Sequence, residues 1–196
     1  MTSPDGPPLE LLPPDVVIVL DVHGVVINNP LAGFFHDLAE RIGIAPTEFI
    51  HQWRSTWRLP FWEGRLTETQ LWNALAPDID HQELRNDLER RYAPGPWFDF
   101  AANHDGPIWL LSNHRSEWLL PRLERFAILD RFDRIIVSDQ IQAAKPDPAA
   151  YAQLVEHRNV AYYDDSAVNI ATARDLGIRA TIVTPGPSDH ASTTSR

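Results

Sequence analysis

Residues 16–26 have the sequence VVIVLDVHGVV, and this stretch decides the fold. Its first five residues form an unbroken apolar run rich in Val and Ile, which is typical of a strand buried on both faces of a parallel sheet. Asp21 ends the run, and Gly24 follows three residues later, where it permits a tight backbone turn. Because ligands bind beyond the carboxyl ends of strands in open α/β sheets, Asp21 is predicted to lie in a functional site.

The composition narrows the class of protein. A chain of 196 residues with 43% hydrophobic content suits one domain with an insertion and a proper core. The formal net charge of -10 and the pI near 5.1 argue against binding to nucleic acid or to an anionic membrane. The sequence has no cysteine, which excludes disulfides and thiolate metal sites. Because no apolar run approaches the roughly 20 residues of a membrane span and no signal peptide is visible, we expect a cytoplasmic protein.

The patterning predicts four regions along the chain. A proline-rich arm at 1–14 and a Ser/Thr-rich tail at 185–196 flank an α/β core formed by 15–29 and 96–184. Residues 30–95 are predicted to form a small helical insertion. Its helices begin near residue 31, at Thr47, at Thr67 with a capping box, and at Asp80, and residues 59–64 are predicted to be a loop.

Beyond residue 96 the sequence alternates between strand and helix patterns. The strands are predicted at 108–111, 134–137, 160–163 and 179–183, and the helices at 117–126, 148–156 and 168–176. Such alternation implies right-handed crossovers and a parallel sheet with helices on both faces.

Four polar groups follow these strands or lie in the loops beside them. They are Asp21, Ser112 with Asn113, Lys145, and Asp164 with Asp165. A parallel sheet brings such strand ends to one edge. Lys145 is the only lysine, against 16 arginines, which suggests a site that needs a compact ammonium group rather than a planar guanidinium.

The chemistry available to these groups is nucleophilic displacement by a carboxylate. Asp21 is positioned to attack phosphorus and form an aspartyl-phosphate. Asp21 and Asp165 are suited to hold Mg²⁺ through hard oxygen ligands. Ser112 and Lys145 are then available to bind the oxygens of the transferring phosphoryl group.

The ordered set of motifs resembles the haloacid dehalogenase superfamily, most of whose members are Mg²⁺-dependent phosphatases. The motifs are DVHGV at 21–25, LSN at 111–113, KPDP at 145–148, and DDS at 164–166 with Asn169. The resemblance implies a three-layer, Rossmann-like α/β fold with a parallel sheet and a helical cap inserted after the first strand. The predicted helical insertion matches that cap, which closes over the substrate and excludes water.

The resemblance also implies roles for individual residues. Asp21 is the expected nucleophile, and Ser112 and Lys145 the expected stabilisers of the phosphate and the intermediate. Metal binding is implied for Asp21, for the main-chain carbonyl of His23 and for Asp165, with Asp164 either a ligand or directly behind the ligands. Ser112 and Asn113 are expected to contact the substrate, and so is Trp62, for a separate reason that concerns the aromatic residues of the insertion. The expected partner is a small phosphorylated metabolite, and the expected state is a monomer or a homodimer.

His23 departs from the usual motif, which has a second Asp at this position to protonate the leaving group and deprotonate water. In one interpretation His23 takes over as general acid and base, since imidazole titrates near neutral pH. In a second, the site turns over slowly and the protein is a weak enzyme or a binding module. In a third, the reaction is a metal-independent attack on carbon, as in dehalogenases with Tyr here, although the pair Asp164 and Asp165 suits a cation.

The insertion concentrates aromatic and basic side chains. Four of the seven tryptophans, Trp53, Trp57, Trp62 and Trp72, are expected to form its core. Any that face the cleft indicate a substrate with an apolar or planar part, and Trp62, in the segment at 61–64, is the best candidate. The arginines Arg54, Arg58 and Arg65 are expected to face solvent, with an anionic substrate as the alternative. His114 is expected on the surface at a helix start.

Overall fold

The computed structural model describes residues 12, 13 and 15–184. The predicted arm at 1–14 lies largely outside these residues, and the predicted tail at 185–196 lies wholly outside them. No helix in the described part of the chain is long and apolar enough to cross a membrane.

Five parallel strands form one sheet at the centre of the fold. They are β1 (Val17–Leu20), β2 (Ile108–Ser112), β3 (Arg134–Val137), β4 (Val160–Asp164) and β5 (Arg179–Ile182), in the spatial order β3-β2-β1-β4-β5. In the centre of the sheet, Leu20 pairs with Leu110 on one side and with Tyr163 on the other. The buried apolar run therefore forms the middle strand, as predicted.

Helices cover both faces of the sheet. Between β1 and β2 the chain forms α1 (Leu31–Arg41), α2 (Pro46–Gln52), a π-helix (Trp53–Trp57), α3 (Arg58–Trp62), α4 (Glu68–Leu75), α5 (His81–Arg90) and α6 (Phe98–Asn103). After β2 come α7 (Ser116–Arg125), a 3-10 turn (Leu129–Arg131), α8 (Ser138–Ile141), a second 3-10 turn (Pro148–Tyr151), α9 (Ala152–His157) and α10 (Ala167–Asp175).

Alternate side chains of β1 enter two separate cores. Ile18 and Leu20 belong to the larger core, which is shared with the helices before β2 and with α7. Val17 and Val19 belong to the smaller core, which is shared with α9 and α10. Side chains on a strand point alternately to opposite faces, and burial on both explains why the run contains no polar residue. The three-layer α/β prediction is thereby confirmed.

The segment at 59–64 corrects the sequence prediction of a loop. Residues 58–62 form α3, which continues directly from the π-helix. Helix formation in this segment buries Phe61 and Trp62. Gly64 follows the end of α3 with a φ of +73°, a conformation that favours glycine.

Two further helices were absent from the prediction, namely α6 and the four-residue α8. Two of the predicted caps are present: Thr67 forms a capping box with Gln70, and the Asp80 side chain accepts a hydrogen bond from the Glu83 N–H. The predicted cap at Thr47 is wrong, because α2 begins one residue earlier, at Pro46, and has no side-chain cap. Local capping chemistry thus decides where α4 and α5 begin, whereas α1 and α7 begin without a side-chain cap.

The helices at 31–90 join the sheet through two chain segments that lie side by side. The Asn28 side chain donates to the Arg91 carbonyl and accepts from the Ala93 N–H. The Gly95 N–H donates to the Val26 carbonyl over 2.9 Å, and a Cβ at residue 95 would lie 2.5 Å from the Val25 oxygen. This close pairing fixes where the helical layer sits relative to β1; we refer to residues 31–90 as the cap.

Candidate active site

The sheet order creates a crevice at the carboxyl end of β1. Strand β2 lies on one side of β1 and β4 on the other, so that the chain connections diverge at this point, where ligands bind in open α/β sheets. Asp21 follows β1 directly, Ser112 ends β2, and Asp164 ends β4. All three side chains are buried. The strand-end residues predicted from the sequence are therefore neighbours in the structure.

Lys145 lies at the centre of this group. Its Nζ is 2.7 Å from Asp21 Oδ1, 2.8 Å from Asp164 Oδ2, 2.8 Å from the Leu111 carbonyl and 3.0 Å from the Tyr162 hydroxyl. An ammonium group has three N–H donors, and these contacts occupy all of them. In this arrangement no N–H of Lys145 is left for a further ligand, so what the residue offers an anion is its charge and its hold on Asp21.

The pKa values follow from burial and from these charges. Burial alone would lower the pKa of Lys145, but the carboxylates of Asp164 and Asp21 raise it above its ordinary value, so the side chain stays protonated. Burial raises the pKa of Asp21 to about 7 in spite of Lys145, and Asp164 adds to the rise. Burial alone would raise the pKa of Asp164. The positive charge of Lys145 and the hydrogen bonds to the carboxylate outweigh burial, so the pKa lies below its ordinary value.

Asp164 is held by four hydrogen-bond donors. Its Oδ1 accepts from the Ser166 N–H at 2.7 Å, and its Oδ2 accepts from Lys145, from the Tyr162 hydroxyl and from Asn169 Nδ2 at 2.9 Å. These contacts engage both oxygens. The geometry therefore suits Asp164 to hold Lys145 and to lie behind the metal ligands without binding the metal itself. This is one of the two roles expected for it.

The Asn113 side chain forms two hydrogen bonds with the main chain of Lys145. Its Nδ2 donates to the Lys145 carbonyl, and its Oδ1 accepts from the Lys145 N–H, both at 2.7 Å. The side-chain amide is thereby engaged in placing the lysine. The expected contact between Asn113 and substrate stays a prediction, although the residue also lines the cavity beside Asp21.

Three carboxylates form a cluster that fits a divalent cation. Oxygen atoms of Asp21, Asp164 and Asp165 lie within 4.8 Å of one another. Burial and the charge of Asp164 raise the pKa of Asp165 to about 6, because one lysine does not balance three carboxylates. Oxygen donors are the ligands that Mg²⁺ prefers. A Cβ at Gly24 would lie 2.2 Å from Asp165 Oδ2, so the absence of a side chain at 24 leaves room for this carboxylate.

His23 lines the cavity and packs among rings. Its ring is stacked on Tyr92 at a centroid distance of 5.5 Å and meets His114 edge-on at 4.6 Å. Its Nε2 is buried without a hydrogen-bond partner among the described residues. Burial, with the positive charges of Arg122 and Lys145, lowers the pKa of His23 well below its ordinary value, and the ring is neutral near pH 7.

His114 is buried, which corrects the expectation of a surface histidine. Its ring contacts Trp62 at 5.1 Å and Trp118 at 6.0 Å. An Arg122 N–H donates to its Nε2 at 3.0 Å, while its Nδ1 lies 3.0 Å from the Arg115 carbonyl. The Arg115 N–H also donates to Nδ1 over 2.8 Å, so both ring nitrogens meet donors, which disfavours a protonated ring. Burial, His23 and Arg122 lower its pKa well below the ordinary value.

A cavity of about 540 Å³ lies between the cap and the carboxyl ends of the strands. Asp21, His23, Ser112, Asn113, Lys145 and Asp165 line its sheet side. Trp62 lines its cap side, although α3 rather than a loop carries it. The cavity therefore brings together every residue predicted for catalysis or substrate binding, whereas Asp164 lies behind its wall.

Sequence reasoning missed Tyr162, whose hydroxyl contacts both Lys145 and Asp164. A signal was present, because Tyr162 precedes Asp164 by two residues in β4 and such residues share a face of the sheet. The ring cluster of Tyr92, His114 and Arg122 around His23 was also missed. The Arg122 guanidinium lies 3.3 Å from the centroid of the Tyr92 ring, and nothing local in the sequence indicates that pairing.

Comparison with protein families and curated proteins extends these observations. Residues 102–183 match the family described as haloacid dehalogenase-like hydrolase. Over 67 residues, the chain is 42% identical to a phosphoglycolate phosphatase from Cereibacter sphaeroides. That match covers 33% of this chain and 31% of the relative, so it spans about a third of either protein.

Solved structures share the fold over most of the chain. A haloacid dehalogenase family enzyme from Bacteroides thetaiotaomicron, solved as a magnesium complex, superposes with a TM-score of 0.71 at 18% identity, covering 91% of this chain and 98% of the other. The L-2-haloacid dehalogenase from Xanthobacter autotrophicus superposes with a TM-score of 0.58 at 21% identity, covering 84% and 75%. At this level of identity the likeness concerns the fold.

Proposed function

We propose that the chain is a hydrolase of the haloacid dehalogenase superfamily that acts on small phosphate monoesters and works with Mg²⁺ through Asp21. The observation that carries the proposal is the position of the Asp21 carboxylate. It lies at the carboxyl end of β1, in a cavity, 2.7 Å from a buried lysine and within a cluster of carboxylates suited to a cation. The phosphatase relative and the magnesium-bound fold neighbour agree with this chemistry.

The first half-reaction forms a covalent intermediate on Asp21. An oxygen of its carboxylate bonds to phosphorus while the bond between phosphorus and the leaving alcohol oxygen breaks, and that oxygen takes up a proton from solvent water. Lys145 keeps Asp21 in place and offsets negative charge in the transition state. Ser112, at the end of β2, faces the same cavity and is a candidate to contact the phosphoryl oxygens. Mg²⁺, held by Asp21, Asp165 and the His23 carbonyl, would supply positive charge to the phosphoryl group.

The second half-reaction restores the enzyme. Water loses a proton and attacks phosphorus, and the bond to Asp21 breaks to release inorganic phosphate. We propose His23 as the group that accepts this proton, since a neutral imidazole has a free lone pair and His23 stands two residues after Asp21 and lines the cavity. The cap over the cavity limits the access of other water molecules.

A second candidate function is a protein of the same fold that binds a phosphorylated ligand without turning it over. The burial of His23 Nε2 favours this candidate, because proton transfer requires a nitrogen that reaches the substrate. A metal-independent dehalogenase is disfavoured, because that reaction needs the Asp21 carboxylate but no cation, whereas Asp21, Asp164 and Asp165 cluster as a cation site does.

The test measures phosphate release from p-nitrophenyl phosphate and from a panel of phosphorylated metabolites, with Mg²⁺ and with EDTA. Wild type is compared with Asp21→Asn, and the exposed Asp130→Asn serves as a matched control. Release that requires both Mg²⁺ and Asp21 supports the proposal. Release that persists in Asp21→Asn overturns it. If no substrate is turned over but inorganic phosphate with Mg²⁺ raises the melting temperature, the second candidate replaces it.

A further inference from the structure

The far side of the cavity has a chemical character of its own, distinct from the carboxylate end. Its cap wall is apolar and aromatic, formed by Leu31, Phe35, Ile50, Trp53 and Trp62. Trp53 and Trp62 meet edge-on with their ring centroids 5.6 Å apart, and both are buried. A wall of this kind binds the apolar or planar part of a ligand.

Two arginines, Arg54 and Arg58, also line this cavity. Both are exposed, so they lie where the cavity meets solvent. No ion pair or hydrogen bond of either guanidinium occurs within the described residues, whereas other cap arginines are paired, as Arg65 is with Glu63 and Arg41 with Glu83. Arginine side chains with open donors at a cavity mouth suit a carboxylate or a phosphate.

The backbone gives a second reason to single out this wall. Residues 53–57 form a π-helix between α2 and α3, and this short segment carries both Trp53 and Arg54. Such π-helical turns are rare and occur frequently at functional sites. Here the turn places an aromatic ring and a guanidinium, adjacent in sequence, on the lining of the same cavity.

The size of the cavity also indicates a ligand that is larger than the phosphate group alone. At about 540 Å³ it falls in the range of sites that enclose whole small-molecule ligands. A two-carbon phosphate such as phosphoglycolate would fill only a small part of it. The charges are also segregated, with the carboxylates at the sheet and the open guanidinium groups on the cap.

We propose that the substrate is a phosphate monoester with an aromatic or apolar body that ends in a second anionic group, and that Arg54 and Arg58 bind this group. This inference rests on the proposed phosphatase function. The phosphate lies at Asp21, the body lies along Trp53 and Trp62, and the second anion lies at the two arginines. The arginines are binding residues and take no part in the chemical step.

The test uses aryl phosphates that differ in the distal charge and in length. Phenyl phosphate is compared with 4-carboxyphenyl phosphate, and 4-biphenylyl phosphate with its 4′-carboxylated form. We expect the carboxylate to raise kcat/KM about tenfold at one of these lengths, mainly through KM, as a paired guanidinium contact would. In Arg54→Gln and Arg58→Gln this preference should fall severalfold, through a rise in KM for the carboxylated compounds. Arg90→Gln, on the exposed side of α5, should keep the full preference.

The outcomes separate this inference from the proposed function. If every aryl phosphate is hydrolysed but the carboxylate gives no advantage at either length, or if the advantage persists in both arginine variants, the anion subsite is wrong and the phosphatase stands. If nothing is hydrolysed, binding of the same compounds to wild type and to the Arg54→Gln variant is measured by calorimetry with Mg²⁺. Tighter binding of the carboxylated compounds that is lost in the variant upholds the subsite, and equal binding overturns it.

Discussion

Asn113 and the main chain of Lys145 are joined by two reciprocal hydrogen bonds of 2.7 Å, one donated and one accepted by the same side-chain amide. The contact links the end of β2 to the loop that delivers the buried ammonium group to Asp21. Since Lys145 arises 32 residues later in the chain, this pair fixes where its side chain starts. Asn113 is on this evidence a positioning residue.

Replacing Asn113 with Ala is expected to lower stability and to slow catalysis. Two partly buried main-chain groups lose their partners, which costs about 2–4 kcal/mol in the free energy of unfolding. Because the lysine then loses its fixed position, kcat should fall about 10- to 100-fold with KM little changed. Urea denaturation and steady-state kinetics measure both effects. The exposed Asn103→Ala variant is the control, and an Asn113→Ala variant with wild-type kcat would show that the contact is structural only.

The ion pair of Lys145 with Asp164 predicts strong coupling between the two residues. Lys145→Met leaves Asp21 and Asp164 buried without their cation and should cost about 3–5 kcal/mol of unfolding free energy. Adding Asp164→Asn removes one of the unpaired charges, so the double variant should be less destabilised than the sum of the two single variants. A double-mutant cycle by chemical denaturation measures this coupling. Additive effects would mean that the contact contributes little.

A pH dependence of stability follows from the raised pKa of Asp21. In metal-free buffer, the free energy of unfolding should fall as the pH rises from about 4 to about 7, because the pKa of this group goes from its ordinary value of 3.8 to about 7 on folding. Within that window the folded protein keeps a proton that the unfolded chain has released, so raising the pH favours unfolding. The slope from one such group is at most about 1.4 kcal/mol per pH unit.

The variant Asp21→Asn isolates this group from the other titrating residues. Its unfolding free energy should depend less on pH across the same window and should exceed that of wild type at pH 8 in EDTA. Mg²⁺ at pH 8 should stabilise wild type more than the variant, since the ion replaces the proton among the carboxylates. Denaturation midpoints at pH 5, 6, 7 and 8 measure all three effects, and parallel profiles for the two proteins would contradict the assignment.

The comparison of sequence with structure shows which features are encoded locally. The strands were predictable because β1 and its neighbours are apolar on both faces, and the strand-end residues Asp21, Ser112 and Asp164 followed from parallel topology alone. The short α6 was not predictable, since six residues carry too little periodicity. Nor was the burial of His114, which depends on contact with Trp62, 52 residues earlier in the chain, and thus on how the cap packs.

His23 gives the most discriminating prediction, because its ring lies between the catalytic cavity and the buried rings of Tyr92 and His114. If His23 transfers a proton, His23→Ala should lower kcat about 100- to 10,000-fold while leaving Mg²⁺ binding intact, since any metal contact of this residue is through its main chain. His23→Gln keeps the approximate size and polarity of the ring without its basicity, and should be equally slow. Phosphate-release kinetics measure both variants, with calorimetric Mg²⁺ titration as the readout of an intact site. The opposite pattern, an inactive wild type that His23→Asp converts into an active phosphatase, would identify the histidine as an inactivating substitution and favour the ligand-binding function.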